Sequence, residues 1–344
     1  MKILIVKTSS LGDVIQTLPV VSFLNRVYPN AEIDFVVEKS FQDILKAHSG
    51  IHQVIPIEIR KWRKRVFHFR KEVKAAIAFL RGQTYDLVFD LQGNIKSGCI
   101  TKCVRAKEKV GTTFRSAPEW PNAFALTHRY SLNKADPITF QYLSLVQKHL
   151  KSESSQVEMV QNLTISSEER KWIEAMLQGK KRIMVCPGSN WENKKLSLPT
   201  WIELLKTAGN GKETFFYFVW GSEKEEQEAL SLHSQFRETS MVLPKMSLPL
   251  WQNFMKEMDL IYTVDSSALH LAATTNVSTK SIFGPSSSAV YKPHLKNHVS
   301  FQGKCPYGKT FTKRCPSLRS CKTGACLKNL DESALKETLI NHQN

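Results

Sequence analysis

Apolar positions along the chain fall into short, near-continuous runs separated by longer stretches with helical spacing. The runs at 3–6, 33–37, 54–57 and 87–91 are rich in β-branched residues and bounded by polar segments. Strands buried on both faces read this way, because neither face alternates with solvent. Between them, 14–27 and 72–81 place apolar residues along one side of a helix. Strand, helix, strand, helix in that order predicts a parallel sheet wrapped by crossover helices, a doubly wound Rossmann-like lobe. The pattern turns polar over 152–167, where Ser166 or Ser167 ahead of Glu168 and Glu169 marks a helix start. The theme then repeats, with strands predicted at 182–186, 215–220, 260–264 and 279–283 and helices at 198–208, 223–233, 249–256 and 268–275. The reading is an α/β chain of two Rossmann-like domains, 1–160 and 161–330, facing a central cleft. A C-terminal helix over 331–344 would pack back on the N-terminal domain. Ligands of open α/β sheets bind beyond the strand C-termini, so the loops there are where chemistry is expected.

A length of 344 residues suits two cores, and 42% apolar with 23% charged residues is the mix of a globular protein. The formal net charge of +17 changes the picture more. It points to a polyanionic partner: nucleic acid, phosphates or an acidic membrane surface. No window reaches the roughly 18 apolar residues of a membrane span, and Lys7 and Asp13 break the apolar start before a signal-peptide core forms. The expectation is a cytoplasmic protein that touches membranes peripherally. Of seven cysteines, Cys99, Cys103 and Cys186 are scattered. Cys305, Cys315, Cys321 and Cys326 gather near the end at irregular gaps without a Cys-x-x-Cys pair, so free thiols are expected and no metal.

Three strand-end loops carry candidate chemistry. Lys7-Thr8-Ser9-Ser10-Leu11-Gly12-Asp13 follows the first strand and opens a helix, which suits an anion, yet it lacks the glycines of a dinucleotide site and the lysine of a P-loop. Asp13 is either a first-turn partner of the helix dipole or a general base, since an ordinary aspartate is ionised at neutral pH. Pro187-Gly188-Ser189-Asn190-Trp191-Glu192-Asn193-Lys194-Lys195 combines hydroxyl, amide and cation, a set suited to a pyrophosphate, with Lys194 or Lys195 neutralising a departing group. A solvated loop is the alternative. Asp265-Ser266-Ser267-Ala268-Leu269-His270 offers a carboxylate for sugar hydroxyls and a helix start for phosphate, with His270 one turn on. A plain capped helix over a core histidine explains it equally.

Glu225 follows another strand, where a carboxylate often pairs ribose hydroxyls, with an acidic first helical turn as the alternative. Met246 could meet an adenine ring. Arg60, Lys61, Arg63 and Lys64, followed by Phe67, His68 and Phe69, concentrate charge among aromatics. This stripe fits an acidic acceptor at a membrane interface, with nucleic acid the second reading and a solvated basic helix the third.

Taken in order, Lys7 to Asp13 with Thr17-Leu18-Pro19, Asp90-Leu91-Gln92-Gly93 with Lys96-Ser97, Pro187-Gly188-Ser189 with Lys194, and Asp265-Ser266-Ser267 with His270 resemble the lipopolysaccharide heptosyltransferases of glycosyltransferase family 9. Val36-Val37-Glu38 and Ile57 to Lys64 are similar to the heptosyltransferase I branch. The resemblance implies a GT-B fold and an inverting, metal-independent transfer from ADP-L-glycero-β-D-manno-heptose to the Kdo sugar of Kdo-lipid A, with no cofactor and no nucleic acid. By it, Asp13 is the general base, and Lys194 acts on the pyrophosphate with Ser266 and Ser267. Asp265 and His270 hold the heptose and its phosphate, Glu225 the ribose, Met246 the adenine, and Ser189 and Asn190 lie by the phosphates. Ser10, Gly12, Arg60, Lys61, Arg63 and Lys64 face the acceptor. Ser267 departs from the Gly usual in the family, where a closer backbone approach is possible. The cysteine-bearing tail resembles heptosyltransferase II, making addition of the second heptose the alternative.

Overall fold

The computed structural model describes residues 1–64, 69–152, 158–209 and 213–341, without the side chains of 63, 64 and 341. The chain divides into a first unit, 1–164, and a second, 165–344. The first holds β1 (Lys2–Val6), β2 (Glu32–Glu38), β3 (Gln53–Ile57), β4 (Thr84–Asp90), β5 (Arg105–Thr112) and β6 (His128–Tyr130). They pair in parallel in the order β3-β2-β1-β4-β5-β6.

The second unit holds β7 (Lys181–Cys186), β8 (Thr214–Phe218), β9 (Ser240–Val242), β10 (Leu260–Val264), β11 (Ser278–Phe283) and β12 (His298–Gln302). Their order, β12-β11-β10-β7-β8-β9, repeats that of the first sheet. Each sheet therefore reverses its winding once, between β1 and β4 and between β7 and β10. Such a switch point is where the loops diverge and leave room for a ligand.

The central strands pack as expected: Ile3, Leu4, Ile5 and Val6 are wholly buried, as are Ile183, Met184 and Val185. Prediction and structure differ at 14–27, which forms two helices, Leu11–Ile15 and Leu18–Val27. Pro19 has no N–H and its ring crowds the carbonyl four residues back, so the second helix must start there. Ser166 caps the helix Ser167–Met176, accepting from the Glu169 N–H at 3.1 Å while Glu169 returns a bond to the Ser166 N–H at 2.9 Å.

The final segment was expected against the N-terminal domain. Instead Leu335 and Leu339 are buried in the core cluster of the second unit, with Ile183, Leu204, Phe216 and Ile282. All seven cysteines are free thiols; burial and the nearby Cys305, Cys321 and Cys315 push Cys326 up to about 11. No helix among the described residues is long and apolar enough to cross a membrane.

Candidate active site

At the first switch point, β1 runs straight into the loop that begins at Lys7. The short helix that follows is fixed by Asp13, whose Oδ2 accepts from the Ser10 N–H at 3.0 Å and the Ser10 hydroxyl at 2.7 Å. These two bonds from Ser10 set the carboxylate at the strand end. Ser10 thus serves Asp13, while half-buried Gly12 accepts the Gln16 N–H at 3.0 Å.

The loop rests on its neighbour after β4. Gln92 Oε1 accepts from the Thr8 N–H at 3.1 Å and the Ser9 N–H at 3.0 Å. Gln92 is held in turn by buried Asp90. Asp90 Oδ1 accepts from the N–H groups of Gln92 and Gly93, and Oδ2 from Thr101 and, at 2.6 Å, the Asn122 amide. Burial raises the Asp90 carboxyl, against the opposing bonds from Gly93, Asn122, Ser97 and Thr101. Gly93 has φ 71, and a Cβ there would meet Pro118 Cδ at 2.7 Å, so only glycine closes this turn without strain.

Lys7 completes the group. Its buried ammonium donates to the Tyr142 hydroxyl at 2.7 Å and the Leu91 carbonyl at 3.2 Å. Burial lowers its pKa, while the carboxylates of Asp13 and Asp90 act the other way. The sequence reading assigned no role to Lys7 or Gln92. Both stand on strand-end loops, the signal by which Asp13 was found.

At the second switch point, Lys194 reaches across from the loop after β7 to Asp265 at the end of β10, Nζ to Oδ2 at 2.5 Å. Both side chains are nearly sealed, 11% and 6% exposed. The same carboxylate oxygen accepts from the Ser286 hydroxyl, contributed by the loop after β11. Burial opposes the charge of Asp265, but Lys194, Ser286 and the field of His270 outweigh it and hold the carboxyl below its ordinary range. The result is an ammonium oriented by an ionised carboxylate at a strand end. Ser286 was missed, although Gly284-Pro285-Ser286 follows a strand as Pro187-Gly188-Ser189 does.

His270 is buried one turn into the helix Ser267–Ala272, with Ser266 and Ser267 half-exposed at its start. Lys195, offered as an equal of Lys194, is buried against Glu228 at 2.9 and 3.0 Å, which leaves it a packing role. Ser189 is buried and Asn190 exposed. A Cβ on Gly188 would lie 2.6 Å from the Glu225 carboxyl, so the loop after β7 runs directly against that residue. Glu225 Oε2 accepts the N–H groups of Gly221 at 2.9 Å and Ser222 at 3.1 Å, capping its own helix. Met246 is half-buried, between buried Leu243 and the capping Ser247.

The basic stretch stands apart from both groups in the sequence. Arg60 is exposed, its N–H bonded to Glu38 at 3.1 Å and its guanidinium 5.4 Å from the Phe41 ring. Lys61 is exposed beside Glu58 and the Phe69 ring. The side chains of Arg63 and Lys64 lie outside the described residues, as do Arg65, Phe67 and His68.

Residues 73–320 match glycosyltransferase family 9 (heptosyltransferase). Lipopolysaccharide heptosyltransferase 1 of Pseudomonas aeruginosa is 29% identical over 318 residues, 92% of this chain and 87% of that protein. The enzyme of the same name from Escherichia coli K12 is 28% identical, over 87% of this chain and 92% of its own. The structure of the E. coli heptosyltransferase WaaC with ADP superposes with a TM-score of 0.77 at 26% identity, covering 88% of this chain and 94% of that one. Two parallel sheets of one strand order, matched over most of their length to such relatives, are a GT-B architecture. The chain is a glycosyltransferase and belongs to glycosyltransferase family 9, the heptosyltransferases.

Proposed function

We propose that this enzyme transfers L-glycero-D-manno-heptose from ADP-heptose to the Kdo sugar of Kdo-lipid A, at the cytoplasmic face of the inner membrane, with inversion and without a metal. The observation that carries the reading is the buried Lys194–Asp265 pair at the switch point of the second sheet. A cation oriented this way costs no reorganisation when negative charge develops on a leaving ADP. Relatives named lipopolysaccharide heptosyltransferase 1 and a relative's structure with ADP support the donor and the pathway.

In the reaction, a Kdo hydroxyl oxygen attacks the anomeric carbon of the heptose as the bond to ADP breaks. Asp13 takes the hydroxyl proton, and the bond's electron pair leaves on the pyrophosphate, met by Lys194. Asp265, itself held by the Ser286 hydroxyl, fixes that ammonium. Ser189, Asn190, Ser266 and Ser267 line the phosphates, His270 the sugar phosphate, Glu225 the ribose and Met246 the adenine. Arg60, Lys61, Arg63 and Lys64 draw in the acidic acceptor.

The test is a transfer assay with ADP-heptose, comparing Kdo-lipid A with the same lipid already bearing one heptose. Turnover on the first and not the second is expected. The reverse preference would make this an enzyme of the second heptose, and turnover on neither would remove the acceptor assignment.

A further inference from the structure

The outer edge of the first sheet carries a cluster that the transfer reaction does not use. In β5 and β6, Val110 pairs with His128, and Glu108 lies two residues before Val110 on the same face. Tyr130, two residues after His128, shares that face. The helix Ile138–Leu150 packs over it, with the His149 ring edge-on to Phe89 at 5.8 Å. Three elements thus bring two imidazoles and a carboxylate to one point. Glu108 Oε2 is 3.2 Å from His149 Nε2 and 3.5 Å from His128 Nδ1, and one ligand atom from each residue lies within 4.8 Å of the others.

We propose that Glu108, His128 and His149 bind a divalent transition-metal ion of the zinc class, clamping the edge strand β6 to the helix Ile138–Leu150. Three features carry this. First, nitrogen and oxygen ligands at about 2.0–2.2 Å in tetrahedral array stand roughly 3.3–3.6 Å apart, the spacing found around Glu108. Second, a His₂Glu set is one that zinc and its neighbours in the transition series prefer, with a fourth position left to water.

Third, the Tyr130 hydroxyl lies 3.3 Å from His149 Nδ1, so this nitrogen is engaged and Nε2 is turned toward Glu108, the outer-shell arrangement of metal-bound histidines. His149 is 7% exposed and His128 45%, so the ion would enter from the His128 side. The mechanical reason for such a clamp is plain. Strand β6 has three residues and a single neighbour, and a tie to the helix above would hold it in register.

The experiment uses the full chain, stripped with a chelator and titrated with Co²⁺ as a spectroscopic probe and with Zn²⁺ by calorimetry. The wild type should take up Co²⁺ with weak d–d absorption of nitrogen and oxygen ligation, and Zn²⁺ should raise its thermal unfolding midpoint. His128→Ala, at a surface position that folding tolerates, and Glu108→Gln should each weaken binding by at least about tenfold and abolish the thermal shift. Unchanged affinity in both variants would overturn the proposal. So would a Co²⁺ spectrum consisting only of intense sulfur charge transfer, which would put the ion on the C-terminal cysteines.

Discussion

In the proposed reaction the Lys194–Asp265 pair meets two demands in one place: a cation waits for the leaving phosphate, and the carboxylate that orients it stays charged while buried. Removing one partner of a buried ion pair leaves the other uncompensated, at about 3–5 kcal/mol. Lys194→Ala should therefore lower the urea midpoint as well as abolish turnover. Lys194→Met combined with Asp265→Asn should recover most of the stability and none of the activity. Recovery of both would remove Lys194 from the chemistry. Asp13 is lighter structurally, since its cap on Ser10 survives in part with an amide. Asp13→Asn should cost about 10²- to 10⁴-fold in kcat, the range of a lost general base, with ADP affinity by calorimetry nearly unchanged. A near-normal rate would leave Asp13 a capping residue only. These residues were legible because each follows an apolar run that could be read as a strand. Ser286, Gln92 and Lys7 were harder to find: their partners, Asp265, the Thr8 and Ser9 N–H groups and Tyr142, are distant in sequence, and no spacing rule connects them.

Among the elements, what the sequence shows depends on how far each lies from the sheet centre. Strands β1, β2, β7 and β10 are buried on both faces and read as apolar runs; β10 was predicted to the residue. Strand β5, Arg105–Thr112, alternates exposed and half-buried positions over 105–108 with four charged residues in its first five, and β6, β9 and β12 are short or lie at edges. Their apolar content is too small for periodicity to detect, and pairing with a neighbour forms them. Edge strand β12 also holds a titration that the sequence could not reveal. His298 bonds Ser281 at 2.9 Å, and burial, with the charges of Lys292, His270 and His294, lowers it to about 3 from 6.5. Between those values the unfolded chain binds a proton that the folded chain refuses, so folding stability falls as pH drops from 6.5 toward 3. His298→Gln, which keeps a polar partner for Ser281 and does not titrate, should show a shallower loss over that window in denaturant melts. Parallel curves for the two proteins would mean that His298 titrates normally.

At the scale of the whole molecule, the two sheets repeat one strand order. The two Rossmann-like lobes were read from the rhythm of strands and helices, and the GT-B assignment from the motifs that carry the family resemblance. The +17 charge is the one global property that the active-site loops do not explain. Near an anionic bilayer each nearby Lys or Arg contributes about 1 kcal/mol, a long-range attraction that salt screens. A second, shorter-range contribution is available from the exposed rings of Phe114, Trp120 and Phe124. Phe124 packs edge-on to Phe114 at 5.3 Å and to Trp120 at 5.9 Å, and Arg129 stands 5.4 Å from the Phe114 ring. Aromatic rings beside a cation suit the headgroup layer, where one end is apolar and the other wet. The two contributions separate by ionic strength. In cosedimentation, vesicles containing phosphatidylglycerol should bind the protein and phosphatidylcholine vesicles should bind it far less, with most of the difference gone at high salt. Trp120→Ala with Phe124→Ala should leave the low-salt attraction largely intact and remove the salt-resistant remainder, because ring insertion does not depend on screening. Identical curves for variant and wild type at every salt concentration would leave charge alone to account for vesicle binding.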